Sequence, residues 1–276
     1  MTFVPGTRGH GELEVNRVDG QSAITSVSAC SPLKILTPRS RGFSVSACLS
    51  SFGGGLVAGD ETHVSISLGA AARCYLGTQA STKIYRNPAA RPCGQSLSAR
   101  LEADSFLALM PDPIQAFAGS AYRQNQQFHL APGANLVLVD WLTSGRAARG
   151  ERWAFTRLHS RNEVFWGDKH SVLDSLLLDP TQGPLGDAHR LGRFNCLALI
   201  LIIGTALVPA AQGCLNEIST ARVERGSNLL VSASPLSQGA LLRLAGEEVG
   251  VVASEIRRRL QFVATWLGAD PWSRKW

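Results

Sequence analysis

Short runs of alternating apolar and polar residues, each closed by glycine or proline within roughly 8–12 residues, constrain this chain more than any other feature. Leu13 and Val15 alternate with charged residues until Gly20, residues 24–27 begin a second run, and residues 33–36 stand between Pro32 and Pro38. Residues 43–49 alternate again, and Val64, Ile66 and Leu68 alternate with His63, Ser65 and Ser67 before a turn near Gly69. That is the period of a half-buried strand. Residues 97–110 supply two more strands, stopped by Pro111 and Pro113, and residues 135–141 are apolar on both faces, as in a central strand. The spacing of these runs selects an all-β architecture and argues against βαβ units.

Two regions are less regular. Tyr122, Gln124, Gln126, Phe128 and Leu130 fall on one strand face that mixes amides with aromatics, a face expected to meet solvent or a partner. Residues 153–158 and 163–166 read as a hairpin behind an arginine-rich turn at Gly145-Arg146 and Gly150-Glu151. Arg146, Arg149, Glu151 and Arg152 there form either a solvated charge cluster or a docking site. Helices are expected only late, at about 210–224 and 247–267. Val249, Val252, Ile256, Leu260, Val263 and Leu267 recur in steps of three or four residues in the second, which Gly268 and Pro271 end. Residues 229–231 and 240–244 read as strands between the helices. No fixed repeat and no linker divides the chain. One domain over 1–276 is expected, with a β body at about 1–208 and 226–246.

Composition narrows the partners. The 276 residues carry a net charge of +6, with 27 Lys and Arg against 21 Asp and Glu. The cations are scattered apart from Arg257-Arg258-Arg259, without the aromatic interleaving of a single-strand binder. An acidic protein surface fits this charge better than nucleic acid. The six cysteines contain no C-x-x-C, and residues 1–20 lack an apolar h-region, so free thiols in a reducing, cytoplasmic setting are expected. The apolar run 194–208 has the length of a strand pair or core helix, short of a membrane span.

Local motifs for chemistry are missing. The glycine loop Gly53-Gly54-Gly55-Leu56-Val57-Ala58-Gly59-Asp60 has no Lys-Ser/Thr after its last glycine, and its spacing is not that of a dinucleotide fingerprint. No G-x-S-x-G occurs, and no two histidines fall at chelating separations. The carboxylates Asp60, Asp112, Asp140 and Glu151 are spread along the chain. Nothing in the residues compels an enzyme.

That glycine loop followed by Thr78-Gln79-Ala80-Ser81-Thr82-Lys83-Ile84-Tyr85-Arg86 resembles the urease accessory protein family called UreD, or UreH in some organisms. Gly11-Glu12-Leu13-Glu14-Val15, Met110-Pro111-Asp112-Pro113 with Phe117, Gln124, residues 145–153 and the closing Trp272-Ser273-Arg274-Lys275-Trp276 agree in order over nearly the whole chain. Segment 176–193 departs from the family pattern, and Trp272-Ser273-Arg274 replaces a proline-rich approach to the terminus. The resemblance implies a mainly β fold of many short strands, stacked in a β-helix-like body with a small two-helix part near the C-terminus. It implies a scaffold chaperone, not an enzyme, which binds UreF and through it UreG, docks on nickel-free apo-urease and assists nickel insertion, with a dimer within the accessory complex left open. It implies no tightly bound cofactor, but Ni²⁺ passing through an internal polar tunnel. Asp60 and Glu151, inside matching motifs, are the expected carboxylates of that path. Lys83, Tyr85, Arg86, Gln124 and Arg146 are expected to line it or to meet partners. Two alternatives stand beside this: an interaction protein that keeps the fold without urease, and a small-molecule enzyme with a pocket near Asp60 and Glu151. A tunnel running through the body argues against the second, whose pocket should be closed at one end.

Overall fold

Parallel strands cannot be joined by tight turns, so each connection between them needs a long crossover, usually a helix. This chain routes the crossovers through other strands instead. The computed structural model describes residues 6–39, 42–88 and 91–274, which leaves Lys275 and Trp276 of the closing motif outside the described residues. The elements run β1 (Arg8–Val18), β2 (Gln21–Ala29), β3 (Leu33–Leu36), β4 (Val45–Ser51), β5 (Gly55–Leu56), β6 (Glu61–Leu68), β7 (Arg73–Thr78), β8 (Thr82–Ile84) and β9 (Cys93–Leu101). They continue with β10 (Phe106–Leu109), β11 (Ile114–Ala116), β12 (Ala121–Leu130), β13 (Asn135–Thr143), β14 (Arg157–Trp166), β15 (Lys169–Leu178) and β16 (Cys196–Ile203). The C-terminal part holds α1 (Val208–Thr220), β17 (Leu229–Leu236), β18 (Gly239–Gly246), α2 (Val249–Arg259) and α3 (Val263–Leu267).

Three consecutive coils, β4-β5-β6, β7-β8-β9 and β10-β11-β12, stack in parallel, and β13 with β14 adds a fourth. The result is a three-walled β-solenoid, as the resemblance implied. One wall has the order β15-β14-β12-β9-β6-β1-β2 and the second runs β17-β18-β16-β13-β10-β7-β4-β3. The third is a narrow strip of β5, β8 and β11. Antiparallel pairs close the stack: β1/β2 and β3/β4 at one end, β14/β15 and β16/β18/β17 at the other.

The hydrophobic pattern follows from which faces are covered. The first wall meets solvent outside, so its strands alternate; in β1 every second residue from Gly9 to Val15 is buried. The second wall is covered on both sides. Leu136 and Leu138 of β13 face the solenoid interior, whereas Val137, Val139 and Trp141 pack with residues of α1, α2 and α3. That explains the unbroken apolar run of this strand.

Three expectations are corrected. The face carrying Tyr122 and Phe128 does not meet solvent; both rings are fully buried, because it is the inner face of the first wall. The hairpin is longer and later: residues 157–166 form one strand, β14, which turns at Gly167 into β15. Trp153 and Phe155 belong instead to a loop that plugs a third apolar cluster near β5, β8 and β11. The late helix is divided, with α2 ending before Leu260 and α3 starting at Val263. Gly268, at φ 73°, closes α3 in the left-handed region that favours glycine. Its last carbonyls find partners in the second wall. Arg73 Nη1 donates to the Trp266 carbonyl at 2.9 Å and Ser44 Oγ to the Leu267 carbonyl at 2.8 Å. The apolar run 194–208 is one buried strand, β16, and the start of α1.

Candidate functional site

Parallel stacking puts equivalent residues of successive coils in columns, and the columns of the first wall change character along the strands. Leu68, Leu101 and Leu130 form one inward column, and Ile66, Ala99, Phe128 and Val164 form the next. Two residues earlier the column reads Val64, Leu97, Gln126, Asn162, and two earlier again Thr62, Gln95, Gln124, Ser160. The interior is therefore apolar toward one edge of the wall and polar toward the other.

The polar side groups meet a single buried carboxylate from the opposite wall. Asp140 on β13 accepts from Gln124 Nε2 at 3.0 Å on Oδ1, and from Ser160 Oγ at 2.6 Å and Asn162 Nδ2 at 2.9 Å on Oδ2. Gln126 Nε2 donates to Asn162 Oδ1 at 3.0 Å, and the Tyr122 hydroxyl lies 2.7 Å from Gln95 Oε1 and 3.1 Å from Gln124 Oε1. Burial pushes the Tyr122 phenol well above its ordinary value, so it remains a donor. Across the interior, Thr78 Oγ1 donates to Asp112 Oδ2 at 3.0 Å. The buried Thr62 hydroxyl has no hydrogen-bond partner among the described residues.

Three cavities follow one another beside this network. The first, of about 310 Å³, lies near Ser50, Gln79 and Ser81. It shares Leu49, Thr62, Thr78, Thr82 and Gln95 with a waist of about 60 Å³. The waist shares Asp140 with a third cavity of about 530 Å³, where Arg243 Nη2 is 2.6 Å from Asp174 Oδ1. The waist has room for a few waters or one hydrated ion. Among the described residues, the lining of all three contains carboxylates, amides, hydroxyls and the Arg243 guanidinium among apolar side chains, but neither histidine nor cysteine.

The residues singled out from sequence fall in three places. Gln124 lines the waist. Asp60 is buried in the turn before β6, where its carboxylate accepts from the backbone N–H groups of Thr7 and Val57 at 2.9 and 3.0 Å and from the Thr7 hydroxyl at 3.1 Å. Its carboxylate is not part of the lining of the three cavities. Lys83, Tyr85, Arg86, Arg146 and Glu151 lie on or beside the third wall. The Tyr85 hydroxyl donates to the Gly53 carbonyl at 3.1 Å, and the Tyr85 ring meets Phe117 edge-on, with centroids 5.5 Å apart. Arg146 lies over the other side of this assembly, 4.4 Å from the Phe117 centroid, and forks onto both oxygens of Glu151. That fork holds the Glu151 carboxyl below its ordinary value. The structure thus separates Asp60 and Glu151 from each other and from the interior network.

Sequence reasoning named Asp140 only among scattered carboxylates and Gln124 as a site residue only through the resemblance, and it gave Gln95, Ser160 and Asn162 no role. Asp140 interrupts the apolar run 136–142 within β13, and Gln124 and Gln126 share a face with Phe128 and Leu130. Both patterns place polar groups at positions that should be buried. Among the described residues no group of three or more His, Cys, Asp or Glu converges, and no helix is long and apolar enough to cross a membrane. Cys74, Cys93, Cys196 and Cys214 are buried free thiols; burial raises the first three to about 12.

Comparison with known proteins adds a family. The family model described as UreD urease accessory protein matches residues 7–276. The chain is 44% identical to a protein named Urease accessory protein UreD from Sorangium cellulosum, covering 98% of this chain and 85% of the relative. It is 43% identical to a namesake from Anaeromyxobacter sp., covering 96% and 89%. It is also 31% identical to Urease accessory protein D of Oryza sativa subsp. indica, covering 95% and 94%.

Proposed function

For a chain that belongs to the UreD family of urease accessory proteins, we propose a role as the scaffold that guides nickel ions to nickel-free urease through its own interior. UreF is the direct partner in this reading, UreG joins through UreF, and the complex docks on apo-urease in the cytoplasm. Six free thiols fit a reducing compartment.

The observation that carries the reading is the position of Asp140. It is the residue shared by the waist and the third cavity, and its carboxylate is the centre of the interior network. A transit path must attract a dication without trapping it. Asp140 and Asp112, set in the waist among neutral amides and hydroxyls, supply hard oxygen contacts, whereas imidazole and thiolate ligands would hold Ni²⁺ far more tightly. The ion is cargo here, and the protein's work is to hold the amides and hydroxyls in place around it.

The test is Asp140→Asn, which keeps the shape of the side chain and removes the charge. The variant is co-expressed with UreF, UreG and urease. Nickel content and activity of the urease are expected to fall further than any loss of UreF capture or of thermal stability, the amide losing one of the acceptors that Gln124, Ser160 and Asn162 use. Unchanged nickel content in the Asp140→Asn background would overturn the assignment.

A further inference from the structure

The narrow third wall carries a feature that interior transport does not use. Ile84 points inward and is fully buried, so Lys83 and Tyr85 on either side of it point outward. The pairing of β5, β8 and β11 continues past the strand ends: the Tyr85 N–H donates to the Leu56 carbonyl at 2.9 Å, and the Phe117 N–H to the Ile84 carbonyl at 3.0 Å. Val57, Tyr85, Phe117 and Arg146 are therefore stacked on successive coils. Val57 is 51% exposed at one end of this ladder. Lys83, Arg86 and Arg149 are exposed around it.

The charge of this strip is not balanced locally. Glu151 is committed to the fork with Arg146 and already feels Arg149 as well, and Asp60 is buried in its turn. No ion pair among the described residues includes Lys83 or Arg86. The ladder itself is fixed at both ends, through Tyr85 to the Gly53 carbonyl and through Arg146 to Glu151. Little order remains to be gained on binding, which favours recognition.

We propose that this third wall is a docking surface for an acidic protein segment, with carboxylates reaching Lys83, Arg86 and Arg149 and apolar side chains resting on Val57, Tyr85 and Phe117. The geometry disfavours two other polyanions. Base stacking needs an open aromatic face, but Tyr85 and Phe117 meet edge to face at 88° and Arg146 already covers Phe117. Membrane binding needs several apolar groups that insert, and on this ladder both rings are largely buried and packed against each other, which leaves Val57 as its exposed apolar side chain. This inference is independent of the nickel path, since none of these residues lines the three cavities.

The test uses the full chain and a fluorescein-labelled amphipathic peptide rich in Glu and Leu, with its Gln-for-Glu counterpart as control, followed by anisotropy at low salt. The ladder triple Lys83→Glu/Arg86→Glu/Arg149→Glu is compared with Arg100→Glu/Arg157→Glu/Lys169→Glu on the first wall, which changes net charge equally. The ladder triple is expected to weaken binding of the acidic peptide at least roughly tenfold, and the first-wall triple by no more than about twofold. All six positions are exposed, so both triples should unfold at the parent temperature. A milder Gln triple at 83, 86 and 149 gives the same comparison should reversal disturb folding. Equal losses in the two triples, or no loss in either, would overturn the proposal. So would ladder-dependent binding to a single-stranded oligonucleotide or to phosphatidylserine vesicles that matches or exceeds binding to the peptide.

Discussion

Gln124 Nε2 lies 3.0 Å from Asp140 Oδ1, a hydrogen bond that joins the first wall to the second through the middle of the solenoid. Gln124 comes from β12 and Asp140 from β13, consecutive strands on opposite walls. The bond therefore links structure and the proposed path. The amide that positions the carboxylate also lines the waist.

Replacing Gln124 by Leu should separate these roles. The Asp140 carboxylate keeps Ser160 and Asn162 but loses the donor on Oδ1. A stability loss of about 1–3 kcal/mol is expected from the under-satisfied buried carboxylate. Gln124→Glu would place two carboxyl groups in contact and should destabilise more at neutral pH than at pH 5. Denaturant unfolding of both variants at the two pH values checks this.

Asp60→Ala should act on folding rather than on transfer. Its carboxylate ties residue Thr7, ahead of β1, to the glycine loop through three hydrogen bonds. Losing these acceptors is expected to cost about 1–3 kcal/mol. Urease activation should fall only in step with the folded fraction, measured by thermal unfolding alongside UreF capture. Nickel content that drops while stability holds would instead return Asp60 to the path.

Glu151 yields a prediction in pH. Arg146 holds its carboxyl below the ordinary value of 4.5, so the folded state favours the ionised form. The fork therefore contributes to stability above that ordinary value, and the contribution is lost as pH falls through the lower folded value. Glu151→Gln should be less stable than the parent at pH 7, and the gap should narrow as pH falls below 4.5. A difference that persists unchanged at pH 3 would show that the ion pair is not its source.

How far these features were legible in the chain depends on what covers each strand. The first wall borders water, so β1, β6 and β12 alternate and their existence follows from period two. The second wall is covered twice, and β13 was legible only as a central strand. Trp153 and Phe155 look like strand residues because they are apolar and alternate, yet they serve as plugs for a loop. The stacking was hidden because its steps are unequal. Val45, Cys74 and Leu107 form one column, but the interval from Val45 to Cys74 is shorter than that from Cys74 to Leu107. Without the register, Thr62, Gln95, Gln124 and Ser160 are four unrelated polar residues. Asp60 and Glu151 drew notice because they lie inside the matching motifs, each just after a glycine, but glycine marks sharp turns as readily as functional loops.

Ile256→Asp tests whether the C-terminal helices are part of the folding unit. Ile256 is 5% exposed and belongs to the cluster that joins α2 and α3 to Val137, Val139 and Trp141 of β13. A second tie lies at the surface, where Arg258 and Arg259 of α2 bridge Glu255 to Glu217 of α1. That ionic clamp is partly exposed and screened by salt, so it cannot offset a charge placed beneath the helix. An aspartate at 256 would lose the apolar contact and strand a carboxylate among Val252, Leu260 and Val263. The expected loss is about 3–5 kcal/mol, at the high end of single substitutions. Because β13 carries Asp140 on its other face, the damage should also reach the interior network. The measurement is hydrogen exchange across β13 together with thermal unfolding. Faster exchange in residues 135–143 with a lowered midpoint supports one cooperative unit. Faster exchange confined to α2 and α3, with β13 protected as in the parent, would show that the helices are a separable cover.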